Sequence, residues 1–158
     1  MKKILSLIVL LVTLTACEED IRFNTPAFQG LKDNVLWKAT EYSAVRGTDN
    51  SLTVTATNGF EVVTLRTASI TPGTIYELGV NESSKATYAL SVDGIEASYQ
   101  TGTGLGNGLI EISDDPRDTN LAQGYITGTF RFNVVNDEGD VVNFQNGIFY
   151  KVPITAFQ

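Results

Sequence analysis

The sequence predicts an all-β domain, an antiparallel meander of about ten strands closed as a β-sandwich or barrel. From Ala27 onward, apolar and polar residues alternate over short runs, and turn-forming residues separate these runs. No stretch has the 3.6-residue apolar period of an amphipathic helix. Without crossover helices, so many strands must curl into a barrel or fold into two packed sheets, and both architectures remain open.

Two hairpins are predicted in the first part of the domain. Asn58-Gly59 and Asp93-Gly94 favour type I′ turns, because both central residues of that turn need a positive φ. The predicted strand pairs are Ser51–Thr57 with Phe60–Thr67, and Thr87–Val92 with Ile95–Gln100. Further strands are predicted at Ala27–Leu31, Val35–Val45, Thr74–Leu78 and Gly108–Ser113.

The last two strands, Gln123–Val135 and Asp140–Ile154, are long and are joined by a turn at Asn136–Gly139. Gly128 and Gly147 indicate bulges or bends within them. Because strand side chains alternate between two faces, one set from each strand should face the core. The inward set is Ile126, Phe130, Phe132 and Val134, facing Val142, Phe144, Ile148, Tyr150, Val152 and Ile154.

The N-terminus has the features of a secretory leader. Two lysines precede Ile4–Ala16, an apolar stretch that is shorter than the about 20 residues of a membrane-spanning helix. Leu14-Thr15-Ala16-Cys17 resembles the lipobox of bacterial lipoproteins, in which the leader is cut before the cysteine and the sulfur receives a diacylglyceryl group. The resemblance implies a signal peptide at 1–16, a lipidated Cys17 with an acidic tether at 17–26, and the all-β domain at 27–158.

An acidic run, Glu18-Glu19-Asp20, follows Cys17 directly. It resembles the stretch that directs lipoproteins of the Bacteroidota to the outer face of the outer membrane, which implies a lipid-anchored protein facing the cell exterior. The alternative is a charged, solvated tether on a protein that stays on the periplasmic face. In both cases two or three acyl chains, at about 0.8 kcal/mol per buried methylene, hold the protein on a membrane.

Composition limits the chemistry available to the chain. It has no histidine and one cysteine, which excludes Ser-His-Asp triads, the usual zinc sites and internal disulfides. Of 11 basic residues, Lys2 and Lys3 leave with the leader, and nine remain against 18 acidic residues, for a net charge of about −9. The acidic balance and the scattered basic residues disfavour nucleic acid as a partner.

Several strand and turn sequences occur together in the domain. They are Phe28, Trp37, Pro72-Gly73-Thr74-Ile75-Tyr76, Tyr88, Tyr99, Gly128-Thr129-Phe130-Arg131-Phe132 and Asn146-Gly147-Ile148-Phe149-Tyr150-Lys151-Val152-Pro153-Ile154. Over roughly residues 26–155 they resemble a family of uncharacterised lipoproteins of flavobacteria and other Bacteroidota, described as a domain of unknown function. The family usually has Asp-Gly where this chain has Asp33-Asn34, but Asn also tolerates a positive φ. The resemblance implies an exported all-β module and supplies no catalytic residues.

Three sets of side chains are candidate site residues. Asp114, Asp115, Asp118 and Asn120 offer the oxygen ligands that Ca²⁺ prefers, but their spacing matches no EF-hand and the loop equally suits a turn with Arg117 paired locally. A catalytic acid/base pair would have to come from strand carboxylates, which usually face solvent: Glu61, Glu77, Glu96 and Glu111. A sugar or apolar-ligand groove would use strand aromatics, which are more commonly core: Trp37, Tyr42, Tyr76, Tyr88, Tyr99 and Tyr125.

These features predict an outer-membrane lipoprotein that acts as a non-enzymatic binding or accessory module, without cofactor or bound metal. Its predicted partners are the membrane, through the lipid anchor, and an envelope protein or a glycan. Two alternatives stay open. One is a lipocalin-like barrel carrying a small apolar ligand inside, and the other is a histidine-free glycan hydrolase with two carboxylates facing each other across a cleft.

Overall fold

The computed structural model describes residues 27–156, so the predicted signal peptide at 1–16 and the lipidated tether at 17–26 lie outside the described residues. The described chain forms eleven strands and no helix, which confirms the all-β prediction. No helix in this part of the chain is therefore long and apolar enough to cross a membrane. The strands are β1 Phe28–Lys32, β2 Val35–Lys38, β3 Glu41–Arg46, β4 Leu52–Thr57, β5 Glu61–Thr67, β6 Ile75–Leu78, β7 Lys85–Val92, β8 Ile95–Gln100, β9 Asn107–Ile112, β10 Tyr125–Val135 and β11 Val141–Ala156.

The eleven strands form one continuous sheet with two antiparallel parts. We call β2-β1-β11-β10-β9-β6 the six-stranded sheet and β3-β4-β5-β7-β8 the five-stranded sheet. They join at two corners: Ile154–Ala156 runs parallel to Ala44–Arg46, and Val135 pairs with Gln100. The architecture is thus a two-layered sandwich whose edges close in the manner of a barrel.

The strand order departs from a simple meander at two points. β6 leaves the five-stranded sheet and pairs with β9, so that β5 lies beside β7. The run predicted as one strand at Val35–Val45 is two strands, because the chain changes sheets between them. At that change the Ala39 amide donates to the Phe28 carbonyl, and the Thr40 amide donates to the Thr57 carbonyl of the other sheet.

The core lies between the two sheets and is rich in aromatic rings. Five phenylalanines are fully buried: Phe28, Phe130, Phe132, Phe144 and Phe149. The Phe28 and Phe130 ring centroids are 4.9 Å apart, and those of Phe132 and Phe144 are 4.8 Å apart. Such pairs add about 0.5–1.5 kcal/mol each beyond the area that they bury. The five-stranded sheet contributes smaller residues, among them Val54, Val63, Leu65 and Ala86.

The predicted inward register is confirmed up to the middle of β11. Ile126, Phe130, Phe132, Val134 and Phe144 are all buried, and Val142 packs against them from a partly buried position. The predicted register is wrong at Ile148 and Tyr150, because both are only half-buried and Phe149 is buried instead.

A bulge at Asn146, where φ is +50°, shifts the pairing of β10 with β11 and moves the following side chains to the other face. A second positive φ, at Lys151, precedes Val152 and Ile154; Val152 is buried as predicted, and Ile154 packs against the core as predicted.

The predicted irregularities at Gly128 and Gly147 are confirmed as shifts in register, and both glycines lie beneath aromatic rings. Gly128 pairs with Phe149, and Phe130 pairs with Gly147. A Cβ atom on Gly147 would lie 2.5 Å from Cδ2 of Phe130, and one on Gly128 would lie 2.8 Å from Cε2 of Phe149. The missing side chains therefore make room for the two rings in the core.

Candidate functional site

An open groove of about 750 Å³ lies on the outer face of the six-stranded sheet, over β9, β10 and β11. The strand register determines which side chains lie together on the floor of this groove. Thr129 of β10 pairs with Glu111 of β9 on one side and with Ile148 of β11 on the other, and Ile148 pairs in turn with Gln29 of β1. These four side chains form a row across four strands, on the face opposite the aromatic core.

Two side chains of opposite charge, those of Glu111 and Arg131, line the groove and are not paired with any described residue. Glu111 and Arg131 are diagonal neighbours on the outer face of β9 and β10, about 7–8 Å apart between Cα atoms. Neither side chain has a hydrogen bond or an ion pair with any residue of the described chain 27–156. An unpaired carboxylate and an unpaired guanidinium on a concave face are available to bind a ligand.

Asp114 and Asp118, two of the calcium candidates, lie at one end of the groove. The side chains of the other two form hydrogen bonds within the loop. Asp115 accepts from Arg117 at 2.7 Å, which is the local pairing predicted from the sequence, and the Asn120 Oδ1 atom accepts from the Gln123 amide at 3.0 Å. No group of three or more acidic side chains in the described part of the chain has a geometry that could hold a metal ion. Of the four calcium candidates, Asp114 and Asp118 thus line the groove, and Asp115 and Asn120 do not.

Tyr150 supplies the aromatic surface of the groove, although the sequence pattern placed it in the core. The Nζ atom of Lys151 lies 5.3 Å from the centre of its ring. Of the aromatics predicted for a groove, Trp37, Tyr76 and Tyr88 are buried, Tyr99 packs against the core, and Tyr42 and Tyr125 reach the surface outside the groove. One feature of the sequence indicates that Tyr150 leaves the core. It is the Asn146-Gly147 pair within the strand, since both residues favour bulges.

The carboxylate of Glu61, one of the acid/base candidates, is held in a cage of four donor side chains and does not line the groove. It accepts hydrogen bonds from Lys32, Asn58 and Tyr88, and from the Trp37 Nε1 atom at 2.8 Å. Burial alone would raise the pKa of this carboxyl, but these donors outweigh burial and hold the pKa at about 2. Burial and the Glu61 carboxylate together raise the pKa of Tyr88 to about 12.

The cage makes Glu61 a structural residue. A carboxylate whose pKa is about 2 is ionised at neutral pH, where it is too weak a base and carries no proton to donate. Its partners come from β1, β2, β7 and the connection between β4 and β5, so the cage ties the β1–β2 hairpin of the six-stranded sheet to the five-stranded sheet.

The other three carboxylates do not meet in one cleft. Glu96 lies on β8 in the five-stranded sheet, on a different part of the molecule from Glu77 and Glu111. Glu77 and Glu111 are diagonal neighbours on β6 and β9, but only Glu111 lines the groove. The groove thus contains one of the four carboxylates proposed for acid/base chemistry.

Comparison with known proteins agrees with this exported β-domain. Residues 24–153 match the family described as a domain of unknown function (DUF6252). The chain belongs to this family. Residues 1–17 match a prokaryotic membrane lipoprotein lipid attachment site, so the protein is a membrane-anchored lipoprotein. No curated protein and no solved structure matches the chain. Membership of a lipoprotein family of unknown function is confirmed.

Proposed function

We propose that the protein is an outer-membrane lipoprotein, exposed at the cell surface, that acts as a non-enzymatic binding module through the groove on its six-stranded sheet. One observation carries the binding role: Glu111 and Arg131 stand in a groove of about 750 Å³ with no partner in the described chain. That volume lies within the range of about 300–1,000 Å³ that is typical of ligand sites. Charged side chains without a partner in such a groove are available to bind a ligand.

The packing of the interior argues against a lipocalin-like carrier. The space between the sheets, where an apolar ligand would lie, holds the rings of Phe28, Phe130, Phe132 and Phe144 in direct contact with each other. The cage around Glu61 argues against a hydrolase, because Lys32 and three neutral donors hold this partly buried carboxylate in its ionised form. Both observations favour binding on the outer face.

Cys17 is the proposed lipid acceptor, since the attachment-site match ends at this residue and the chain has no other cysteine. Replacing Cys17→Ser should move the protein from the membrane pellet to the soluble fraction, because the acyl chains supply the attachment. Fractionation after a high-salt wash measures the change. A variant that still pellets would show that something other than the acyl chains holds the protein on the membrane.

Surface exposure is proposed from Glu18-Glu19-Asp20, the acidic run that follows Cys17. Protease added to intact cells should digest the domain and leave a soluble periplasmic protein intact. Replacing all three acidic residues with Ala should protect the domain from the protease and leave it in the membrane fraction. Protection of the unmodified protein would place it on the periplasmic face.

The binding role is tested by cross-linking on the native envelope, with a matched pair of arginine variants. Arg131→Ala should remove the cross-linked partner, because Arg131 stands in the groove. Arg66→Ala is the control, since Arg66 lies on the five-stranded sheet and pairs with Asp49 at 3.3 Å. Equal partner recovery by the wild-type protein and both variants would refute the groove as the binding face.

A further inference from the structure

We infer that the groove binds a neutral glycan, a chain of uncharged sugars recognised through its hydroxyl groups. This inference rests on the proposed binding function and adds the chemical class of the ligand. It follows from the charge of the groove, from the hydrogen-bonding groups that it leaves unused, and from the strand pairing around it.

The charge of the groove disfavours anionic ligands. Three carboxylates line it, those of Glu111, Asp114 and Asp118, and the basic groups at hand are Arg131 in the lining and Arg117, which pairs with Asp115 and lies near Asp118. The chain as a whole is acidic as well. A phosphate, sulfate or uronate group would meet net repulsion, because like charges at such short range cost free energy. A strongly basic ligand would in turn meet Arg131, the diagonal neighbour of Glu111.

The unused side chains suit hydroxyl groups. A carboxylate accepts two hydrogen bonds and a guanidinium donates two in parallel, so Glu111 and Arg131 can each hold a pair of neighbouring sugar hydroxyls. The Thr129 hydroxyl and the Asn146 amide lie in the same groove, and neither has a side-chain hydrogen bond within the described residues. The groove thus offers both donors and acceptors, as a ligand rich in hydroxyls requires.

The same groove offers apolar surface for the carbon-bound hydrogens of a sugar ring. Ile148 and Leu109 are half-buried in its floor, and the Tyr150 ring stands beside them. Amphipathic aromatic side chains combine apolar area with a polar tip, which matches the mixed surface of a sugar. A purely polar ligand would leave this apolar area without a contact.

Strand pairing disfavours an extended peptide. β9 is paired with β6 and β10, β10 with β9 and β11, and β11 with β10 and β1. The main-chain groups under the groove are therefore used in the sheet, and a peptide cannot add as a further strand there. Recognition in the groove has to come from side chains, which is how the hydroxyls of a glycan are bound.

Affinity electrophoresis of the full lipidated protein in detergent tests the inference, with gels that contain dextran, amylose, mannan or hydroxyethylcellulose. Polygalacturonate, chondroitin sulfate and polylysine serve as charged probes. We expect retardation by at least one neutral glycan, and a loss of affinity of about tenfold for both Glu111→Gln and Arg131→Ala. Arg66→Ala and Glu96→Gln, on the five-stranded sheet, should bind like the wild-type protein.

Retardation only by a charged probe, or by none of the polymers, would overturn the glycan inference. The proposed function would survive that result if the envelope cross-link still depended on Arg131, since the partner would then be of another class. New reducing ends released from a bound glycan would instead overturn the non-enzymatic role. Folding of each variant is checked by its circular dichroism spectrum, so that a lost interaction is separated from a lost fold.

Discussion

Phe132→Ala is expected to lower the free energy of unfolding by about 3–5 kcal/mol, the usual cost of truncating a buried phenylalanine. The Phe132 side chain is 1% exposed, and its ring centroid lies 5.7 Å from that of Phe130 and 4.8 Å from that of Phe144. Truncation removes both contacts and leaves a cavity in the core between the two sheets, which closes only in part because the surrounding side chains keep the sheets apart. Denaturant unfolding of the full chain measures the change.

Val135→Thr is the matched control for this substitution. Val135 lies three residues further along β10, on the opposite face, and is only half-buried. Exchanging one methyl group for a hydroxyl at such a position should cost less than about 1 kcal/mol. A large loss for Val135→Thr together with a small loss for Phe132→Ala would contradict the inward register of β10.

The register of β10 could be predicted because a strand has a side-chain period of two and one of its faces is strongly apolar. Ile126, Phe130, Phe132 and Val134 identify the inner face without knowledge of the neighbouring strands. The turn at Asp93-Gly94 could be predicted for a similar local reason, because both residues adopt a positive φ, as Asp33 and Asn34 also do. The type I′ turn predicted at Asn58-Gly59 is wrong, because only Gly59 has a positive φ and Thr57 pairs with Val62, which makes the connection longer than two residues.

The second half of β11 could not be predicted in the same way. The irregularity at Asn146 inverts the side chains that follow it only as far as Lys151, where a second positive φ restores the predicted phase for Val152, and the sequence does not show where either irregularity lies. Ile148 and Tyr150 therefore changed from predicted core residues to groove residues. The change of sheets at Ala39 and Thr40 was missed for a related reason, since it depends on which distant strands are available for pairing.

The groove and the cage around Glu61 depend on contacts between residues far apart in sequence. Glu111 and Arg131 face the same groove only because β9 pairs with β10 in one particular register. Glu61 meets Lys32 and Tyr88 from strands 29 and 27 residues away. Side-chain pattern alone identifies such residues as exposed or buried, and it does not identify their partners.

Glu61→Ala is expected to destabilise the protein by about 2–4 kcal/mol at pH 7, because it leaves a partly buried cation and two buried donors without their acceptor. The Lys32 side chain is 27% exposed, which allows some solvation of its charge and keeps the cost below that of a fully buried ion. The Tyr88 hydroxyl and the Trp37 Nε1 group lose an acceptor at the same time. Glu96→Ala, on β8, should cost little, and an equal loss for both variants would contradict the role of the cage.

The pH dependence of this difference tests the ionisation of Glu61. The pKa of Glu61 is about 2 in the folded protein, against 4.5 for an unperturbed glutamate, so the unfolded chain takes up this proton first as the pH falls. The carboxylate therefore stabilises the fold fully above about pH 4.5, and this contribution declines progressively toward pH 2. Unfolding free energies of the wild-type protein and Glu61→Ala should differ most at pH 7 and less at pH 3. A difference that stays constant between these two values would show that Glu61 is not held as a low-pKa carboxylate by its four donors.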